Sequence, residues 1–573
     1  MHRTTLFLLA GFATVILGSC TGSTDPSVLS TLPNPIEPTT STTATTSTVG
    51  SVTTTSAPWE PPEHPVRIVD GGFVDTRSGE PFIVRGTNYL TRVPVGRGYQ
   101  DRTFSPAVFD PEAVAADFAD LEDRGYNTVR IFMDSCNGGP DCIAASDGDG
   151  LNGKYLDVIV EVMHLARRYG LLLLLTSNDL PDNAGYWEMS DTDNAGVFPG
   201  YRNSHYMTAS GEQAAERYWN DLLIGLTERQ APFDVVLGWS ILNEQWMFKD
   251  QYPLAPGSGI VTTKTGTYYT ADPDQARAMV GDGIDSYVTA VAAVIGEHDP
   301  HGLVTMGFFA PQFPNESGIG GDWLVDTQPL VEDSTLDFFD FHAYPGEDIT
   351  LAEIAENFGL PADKPVVMGE VGAFIDRYRD IDQAALAVQQ WIAESCDLGW
   401  DGWLYWEMLH ADLSVGDATW ALTAADGLLL DVLAPVSQPD ACTPTLTDPN
   451  LSRGATVRAS RSLGDEPPEL AVDGNTATQW GSGADATQWI EIDLGTPKAI
   501  GRIRLVVAQW PEGRTVHVVT IDGLEVWTFD GDTSGGDLIE PLLDAPAIGQ
   551  TIRVTTTMSP SWVAWSEIEV LAP

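Results

Sequence analysis

Basic residues are scarce. Only 29 lysines and arginines stand against 81 aspartates and glutamates in 573 residues, a formal charge of −52. Without clustered cations a chain cannot neutralise a phosphate backbone, so no nucleic-acid partner is expected. Polybasic attachment to anionic lipid is disfavoured for the same reason. The acidic excess reads as surface charge that keeps an exported protein soluble. Cysteine is scarce too, with five residues, none in zinc-type spacing with histidine. Beyond the N-terminus no run of about 18 apolar residues occurs, so no second membrane span is expected.

What is present begins with MHRTTLFLLAGFATVILGSC. A short basic start, an apolar stretch and small residues make a secretory signal, excluded from fold reasoning. Leu17-Gly18-Ser19-Cys20 resembles the lipobox of bacterial lipoproteins. That resemblance implies lipidation of Cys20 and an extracellular protein anchored to the bacterial cell membrane; an ordinary secretory signal is the alternative. Residues 21–65 follow as a Thr/Ser/Pro-rich linker, including TTSTTATTSTVGSVTTTSAP. Such a segment has too little apolar surface to offset its ordering entropy. Of the remaining cysteines, Cys136 and Cys142 share one Gly-rich stretch and are the natural pair. Cys396–Cys442 would then tie a late helix to the end of the first domain. Free buried thiols are the alternative.

Residues 66–440 alternate between short apolar runs and amphipathic segments. The strand candidates are FIVRGTN (82–88), NTVRIFM (127–133), LLLLLTS (171–177), DVVLGWSIL (234–242), LVTMGFF (303–309), LDFFDFHAY (336–344), PVVMGE (365–370) and GWLYWEM (402–408). Eight such repeats in this length predict an α/β fold, a (β/α)8 TIM barrel. The nearly continuous apolar strands suit a parallel sheet covered by helices. VRIVDGGFVDTRSG before the first strand reads as a hairpin plugging the barrel bottom. An open doubly wound sheet is the runner-up, disfavoured because no GxGxxG turn follows the first strand. Residues 445–573 change character: QWIEIDLG, IGRIRLVVA, VHVVTIDG and TIRVTTT, punctuated by turn residues, predict an all-β sandwich.

Catalytic groups of such barrels sit at the C-terminal ends of strands. Three predicted strand ends carry acids, Glu244, Glu370 and Glu407. Glu407 should point away from its neighbour Trp406 by strand alternation and is set aside. Strands four and seven face each other across a barrel mouth, so Glu244 and Glu370 can converge on one site. ILNEQ with Asn243-Glu244, and VVMGEVGA with Glu370, resemble the acid/base and nucleophile motifs of clan A glycoside hydrolases. Arg130 in NTVRIF, His342 and Tyr344 in FHAY, and Trp406 in LYWEM are similar to glycoside hydrolase family 5, the cellulase and mannanase family, over about residues 66–435. The resemblance implies that Glu370 attacks the anomeric carbon. Glu244 would protonate the leaving oxygen, then deprotonate water. It implies a raised pKa for Glu244 and an ionised Glu370, favoured by Arg130 and the Tyr344 hydroxyl. Asn243 would bind the sugar 2-OH, Trp406 would floor the subsite and His342 would line it. No cofactor or metal is needed for this chemistry. Two departures bear on substrate: Gln245 and Trp246 follow the Asn-Glu pair, and Ser177-Asn178-Asp179 follow strand three. Tyr186, Trp187, Trp219, Trp246 and Tyr252 are candidate sugar-stacking platforms.

ELAVDGNTATQWGS, QWIEIDLG and the closing SPSWVAWSEIEVL resemble the discoidin-like domain (coagulation factor 5/8 type C) over about residues 450–571. In bacterial glycosidases it usually acts as a carbohydrate-binding module. Such domains often hold a structural calcium, and the match implies Asp473, Thr478 and Glu567 as its oxygen ligands. Trp489 is expected in the core, and Trp510 and Trp562 near strand ends are candidates for sugar stacking.

The sequence thus predicts a monomeric retaining glycoside hydrolase that cleaves a β-linked polysaccharide or oligosaccharide of glucan or mannan type. Two alternatives stand beside it: a non-catalytic carbohydrate-binding surface protein, and a transglycosylase using the same covalent intermediate.

Overall fold

The computed structural model describes residues 63–572 except 96–97, 135–140, 145–149, 179, 182–184, 191–202, 245–246, 249–250, 256, 310–322, 325–334, 347–348, 359, 361–362, 376, 379, 410–418, 447–449 and 541–546. Cys20, Cys136, Asp179, Gln245, Trp246 and all but the last residues of the 21–65 linker lie outside the described residues.

Eight parallel strands build the first domain: β1 (Val84–Leu90), β2 (Thr128–Phe132), β3 (Leu172–Thr176), β4 (Val236–Ser240), β5 (Val304–Thr305, resuming at Gly307–Phe309), β6 (Phe339–His342), β7 (Val366–Val371) and β8 (Gly402–Leu409). Every pairing among them is parallel. The first half of β5 pairs with β4 and the second half with β6. Only Met306 separates the two halves, so the ends of the sheet meet and it closes into a barrel. Residues of β2, β3, β4 and β7 are buried without alternation. That is the signature of strands covered on both faces.

Around the barrel run helices α1 (Pro111–Asp123), α2 (Gly153–Arg168), α3 (Ala209–Glu228), α4 (Pro273–His298), α5 (Leu351–Phe358), α6 (Ile381–Asp397) and α7 (Ala424–Val432). The acidic composition serves their starts. Asp110, Asp272 and Asp380 cap α1, α4 and α6, each accepting a backbone N–H of the first turn, while Asn152 and Thr208 cap α2 and α3. Carboxylates at N-termini also favour the helix dipole. Among the described residues α4 alone is long and apolar enough to cross a membrane, but half of its most apolar window is buried in this fold. It packs against α3 as part of the helical ring.

The predicted plug is present. Val66–Val69 and Gly72–Asp75 form an antiparallel hairpin, and Val66 and Phe73 pack with Val84, Leu172, Leu237, Phe338 and Val367 at the strand starts. Beside it His64 is clamped. Its Nδ1 donates to Val236 O at 2.8 Å, and its Nε2 lies 2.9 Å from Asp299, which also accepts from Trp239 Nε1. Cys396 at the end of α6 is bonded to Cys442 across a separation of 46 residues. In the loop-closure picture such a link is worth about 4 kcal/mol. Cys142 is also disulfide-bonded, and its expected partner Cys136 falls outside the described residues.

The second domain is a sandwich of antiparallel strands. β9 (Thr456–Ala459), β10 (Trp480–Gly481), β11 (Gln488–Ile500), β12 (Arg502–Val507), β13 (Gly513–Ile521), β14 (Leu524–Thr533), β15 (Leu538–Ile539), β16 (Ala547–Met558) and β17 (Ala564–Leu571) divide into two sheets. Their orders are β9-β11-β16-β13-β14 and β10-β17-β12-β15. Ile490, Ile492, Ile503, Leu505, Val554 and Ile568 fill the space between them. Trp489 departs from its expected core position. It shares a parity with Glu491 and Asp493, so it lies on the outer face of β11, half-buried, with the Arg553 guanidinium 4.1 Å over its ring.

The sandwich does not hang free of the barrel. Arg504 on β12 binds Asp380, the cap of α6, at 2.6 Å and Glu540 at 2.6 Å. Gln383 on α6 donates to Glu569 on β17, and the Gln389 side chain takes up the backbone of Thr445 and Leu446 between the domains. Burial of Arg504 makes this network stronger than a surface ion pair.

Candidate active site

Several strands contribute groups to the barrel mouth, because inward-facing residues of parallel strands point into a common space. Arg130 on β2 is the hub. It is 1% exposed, and its N–H groups face acceptors from several strands. One terminal nitrogen donates to Glu370 Oε1 at 2.8 Å and to Asn88 Oδ1 at 2.8 Å. The other donates to Asn243 Oδ1 at 2.7 Å and approaches His342 Nε2 at 3.3 Å. Its Nε lies 3.5 Å from Asp340 Oδ2.

These contacts settle protonation states. Arginine only donates, so His342 Nε2 is the acceptor and Nδ1 carries the proton. Nδ1 therefore donates to Glu244 Oε1, at 2.6 Å. The neutral form agrees with burial and the Arg130 charge, which hold the His342 pKa well below its usual value. The same reasoning orients Asn243: its oxygen is taken by Arg130, which leaves the amide N–H groups for a ligand. Tyr344 donates to Glu370 Oε2 at 2.8 Å and packs on Phe374 at 4.9 Å between ring centroids.

Oxygen atoms of Glu244 and Glu370 and a ring nitrogen of His342 lie within 4.8 Å of one another. Such a trio can be a metal site, but its donors are already spoken for. His342 Nδ1 holds a proton aimed at Glu244, and both Glu370 oxygens accept from Arg130 and Tyr344. The set is arranged for proton and carboxylate chemistry. Arg130, His342 and Glu370 are buried, whereas Asn243, Glu244, Tyr344 and Trp406 are partly exposed, so the latter four face the open side. Burial pushes the Glu370 carboxyl up to about 7, against Arg130 and the Tyr344 hydroxyl, which favour the charged form. The desolvation of this group outweighs the two partners expected to keep it ionised.

Trp406 stands beside the cluster, edge-on to Phe132 at 5.9 Å, and Phe132 in turn lies under Arg130. Glu407, set aside on alternation, is fully buried and ion-paired with Arg92 at 2.8 Å. Of the candidate platforms, Tyr186 and Trp219 are core residues, Trp187 stands edge-on to His205 at 4.4 Å, and Tyr252 is half-buried. The Ser177 hydroxyl is engaged within the protein, and Asn178 is exposed. Ser177 Oγ and the Asn178 N–H both donate to buried Asp134, which also accepts from Tyr218 at 2.8 Å.

Two residues of this centre had not been singled out, Asn88 and Asp340, and neither had Asp134, which binds Ser177, Asn178 and Tyr218. Asn88 is fully buried and donates to Gly369 O at 2.9 Å, which ties β1 to the residue before Glu370. The available signal was a polar residue at an apolar strand's end, or within it in the case of Asp340.

In the sandwich, Thr478 Oγ1 donates to Asp473 Oδ2 at 2.7 Å, and Gly474 N–H donates to Glu567 Oε2 at 3.2 Å. Glu567 Oε1 is buried without a hydrogen-bond partner among the described residues. Burial and then the neighbouring Asp473 hold its pKa well above the usual range. A buried, unsatisfied carboxylate oxygen beside a second acid fits a cation.

Residues 456–569 match the F5/8 type C domain. Chitosan-binding module 1 of a chitosanase/glucanase from Paenibacillus sp. IK-5 aligns at 23% identity over 22% of this chain and 98% of its own, TM-score 0.19. The endo-1,4-beta-mannanase of Rhizomucor miehei aligns at 19% identity over 65% of this chain and 99% of its own, TM-score 0.45. A curated relative, the 1,3-beta-glucanosyltransferase GAS4 of Saccharomyces cerevisiae, is 36% identical over 69 residues. The match spans 12% of this chain and 14% of that protein. In the F5/8 type C domain Trp510 is 83% and Trp562 49% exposed, so either can present a ring face to a sugar.

Proposed function

We propose that this chain is a retaining glycoside hydrolase acting on a β-linked polysaccharide or oligosaccharide of glucan or mannan type. One observation carries the reading: oxygens of Glu244 and Glu370 within 4.8 Å of each other at a barrel mouth. Retaining enzymes space their carboxyls about 5–5.5 Å apart, whereas inverting ones need about 6.5–9.5 Å to admit a water.

In the first step a Glu370 oxygen bonds to the anomeric carbon as the bond to the leaving oxygen breaks. Glu244 gives its proton to that oxygen. Because His342 donates to Glu244 Oε1, the acid proton resides on Oε2. In the second step Glu244 takes a proton from water, whose oxygen bonds to the anomeric carbon and releases Glu370. Arg130 and Tyr344 donate to the departing carboxylate and stabilise its charge, and Asn243 offers its N–H groups to the sugar 2-OH.

The test is the stereochemistry of the first product, read by proton NMR during turnover on β-glucan and β-mannan oligosaccharides. A β-anomer appearing first is expected; an initial α-anomer would remove the double-displacement reading. The short match to a glucanosyltransferase supports a second reading, in which a sugar hydroxyl replaces water in the second step. Elongated products in the presence of added acceptor would favour it. A chain inert on a broad panel of β-glycosides, with wild type and Glu370→Ala alike, would leave only carbohydrate binding.

For the F5/8 type C domain we propose a carbohydrate ligand and a calcium held by Asp473, Thr478 and Glu567. Calcium chloride at about 100 times its dissociation constant would stabilise the fold by about 2.7 kcal/mol. A melting temperature that rises with calcium in the wild type, and not in Glu567→Gln, is the expected result. An unmoved wild-type melting temperature would contradict the assignment.

A further inference from the structure

Asp340 has no part in the steps above, yet it is fully buried one layer below His342 on β6. It lies in the barrel interior and not in a cleft. Neither of its oxygens accepts a well-formed hydrogen bond from a described residue. The groups around it are Arg130 from β2, with Nε 3.5 Å from Oδ2, and His342 of its own strand, with Nε2 3.7 Å from Oδ1. Glu370 faces Arg130 from β7, and Glu244 reaches the cluster from β4 through His342.

Space has been kept for this carboxylate. A Cβ on Gly369 would stand 1.5 Å from Asp340 Oδ1, so any side chain there would occupy its place. Gly369 immediately precedes Glu370, and its N–H is the other group that stabilises the Asp340 charge. A buried acid with so little solvation is costly unless a cation compensates it. Arg130 is the cation within reach, and it is shared with Glu370.

We propose that Asp340 acts on Glu370 through Arg130: it lies as a second buried carboxylate on the Nε edge of the guanidinium whose terminal nitrogens face Glu370, Asn88 and Asn243, and so competes with Glu370 for that one charge. The assignment rests on the glycosidase reading for its purpose, but its physical content is independent of it. One positive charge serves two buried carboxylates. Asp340 therefore repels the charge on Glu370 and draws on the same guanidinium, so both effects oppose ionisation of Glu370. Burial holds Asp340 itself up to about 6, against Arg130 and the Gly369 N–H.

Asp340→Asn keeps the shape and removes the charge; Asp340→Ser, smaller and neutral, carries the test if the first variant does not fold. The readout is the 13C titration of the Glu370 carboxyl without substrate, its signal identified by loss in Glu370→Gln. The midpoint is expected to fall by half a unit or more. On the acid limb of kcat/KM this corresponds to about a threefold gain relative to the plateau, since the ionised fraction there changes tenfold per unit. A midpoint that stays or rises would overturn the proposal, whether or not the protein hydrolyses any glycoside. An inert wild type with a lowered midpoint would instead sink the hydrolase reading and leave the charge-sharing role of Asp340 standing.

Discussion

Glu370→Ala is expected to lower kcat by about 10^4–10^6-fold, the range found when a covalent nucleophile is removed. The loss should fall on kcat and kcat/KM together, because the bond from Glu370 to the anomeric carbon exists only beyond the ground state. Azide, small enough to enter the vacated space, should restore turnover and give a glycosyl azide of α configuration. The pH profile supplies a second check. The reactive form of Glu370 is charged, and burial raises its pKa to about 7. Activity in the wild type is therefore lost as pH falls through about 7 and recovers above it. The azide-rescued variant should lack that limb. A variant retaining a tenth of wild-type activity, or an acid limb that survives the substitution, would show that another group is the nucleophile.

Glu244→Gln is the other large effect. Removal of a general acid costs typically about 10^2–10^4-fold. The size should depend on the leaving group: near the upper end for a sugar, whose alkoxide must be protonated, and small for bond cleavage of a dinitrophenyl glycoside. With the activated substrate a burst of one equivalent of phenol should appear, because the amide introduced by the substitution cannot deprotonate the water that resolves the intermediate. Equal losses on both substrates, without a burst, would assign Glu244 a binding role only. The interaction with neutral His342 makes a further distinction. His342→Ala removes the donor to Glu244 Oε1, so the alkaline limb of the profile should move upward as the Glu244 anion loses a stabilising hydrogen bond.

The domain contact also bears on how such variants are compared. Arg504, Asp380 and Gln383 join the sandwich to the start of α6, which follows β7 and its Glu370. Removing the sandwich would leave Asp380 without its partner at the cap of that helix, so variants belong in the full chain.

Much of the barrel was legible because its strands are apolar on both faces and so appear as unbroken runs, and because a polar residue terminates each run. LLLLLTS, for instance, becomes β3 with a loss of one residue at each end. Asn243-Glu244 and Gly369-Glu370 were legible for the same reason: an acid at the end of an apolar strand is unusual enough to be seen. Trp489 was misjudged although its parity with Glu491 and Asp493 was visible, since a large aromatic suggests burial, and only the sheet's two faces show that Arg553 covers it.

By itself, then, the order of residues determined the repeat of strand and helix, the change to a sandwich after about residue 445, and which acids stand at strand ends. Those depend on local periodicity and on what can be buried, and both are written along the chain. Tertiary structure alone decided that one guanidinium, Arg130, is divided between Glu370 and Asp340, that His342 gives its proton to Glu244, and that Asn88 braces the site. Those contacts join residues up to 281 positions apart. Their energies depend on burial and on distances of a few ångström, which no spacing in the sequence specifies.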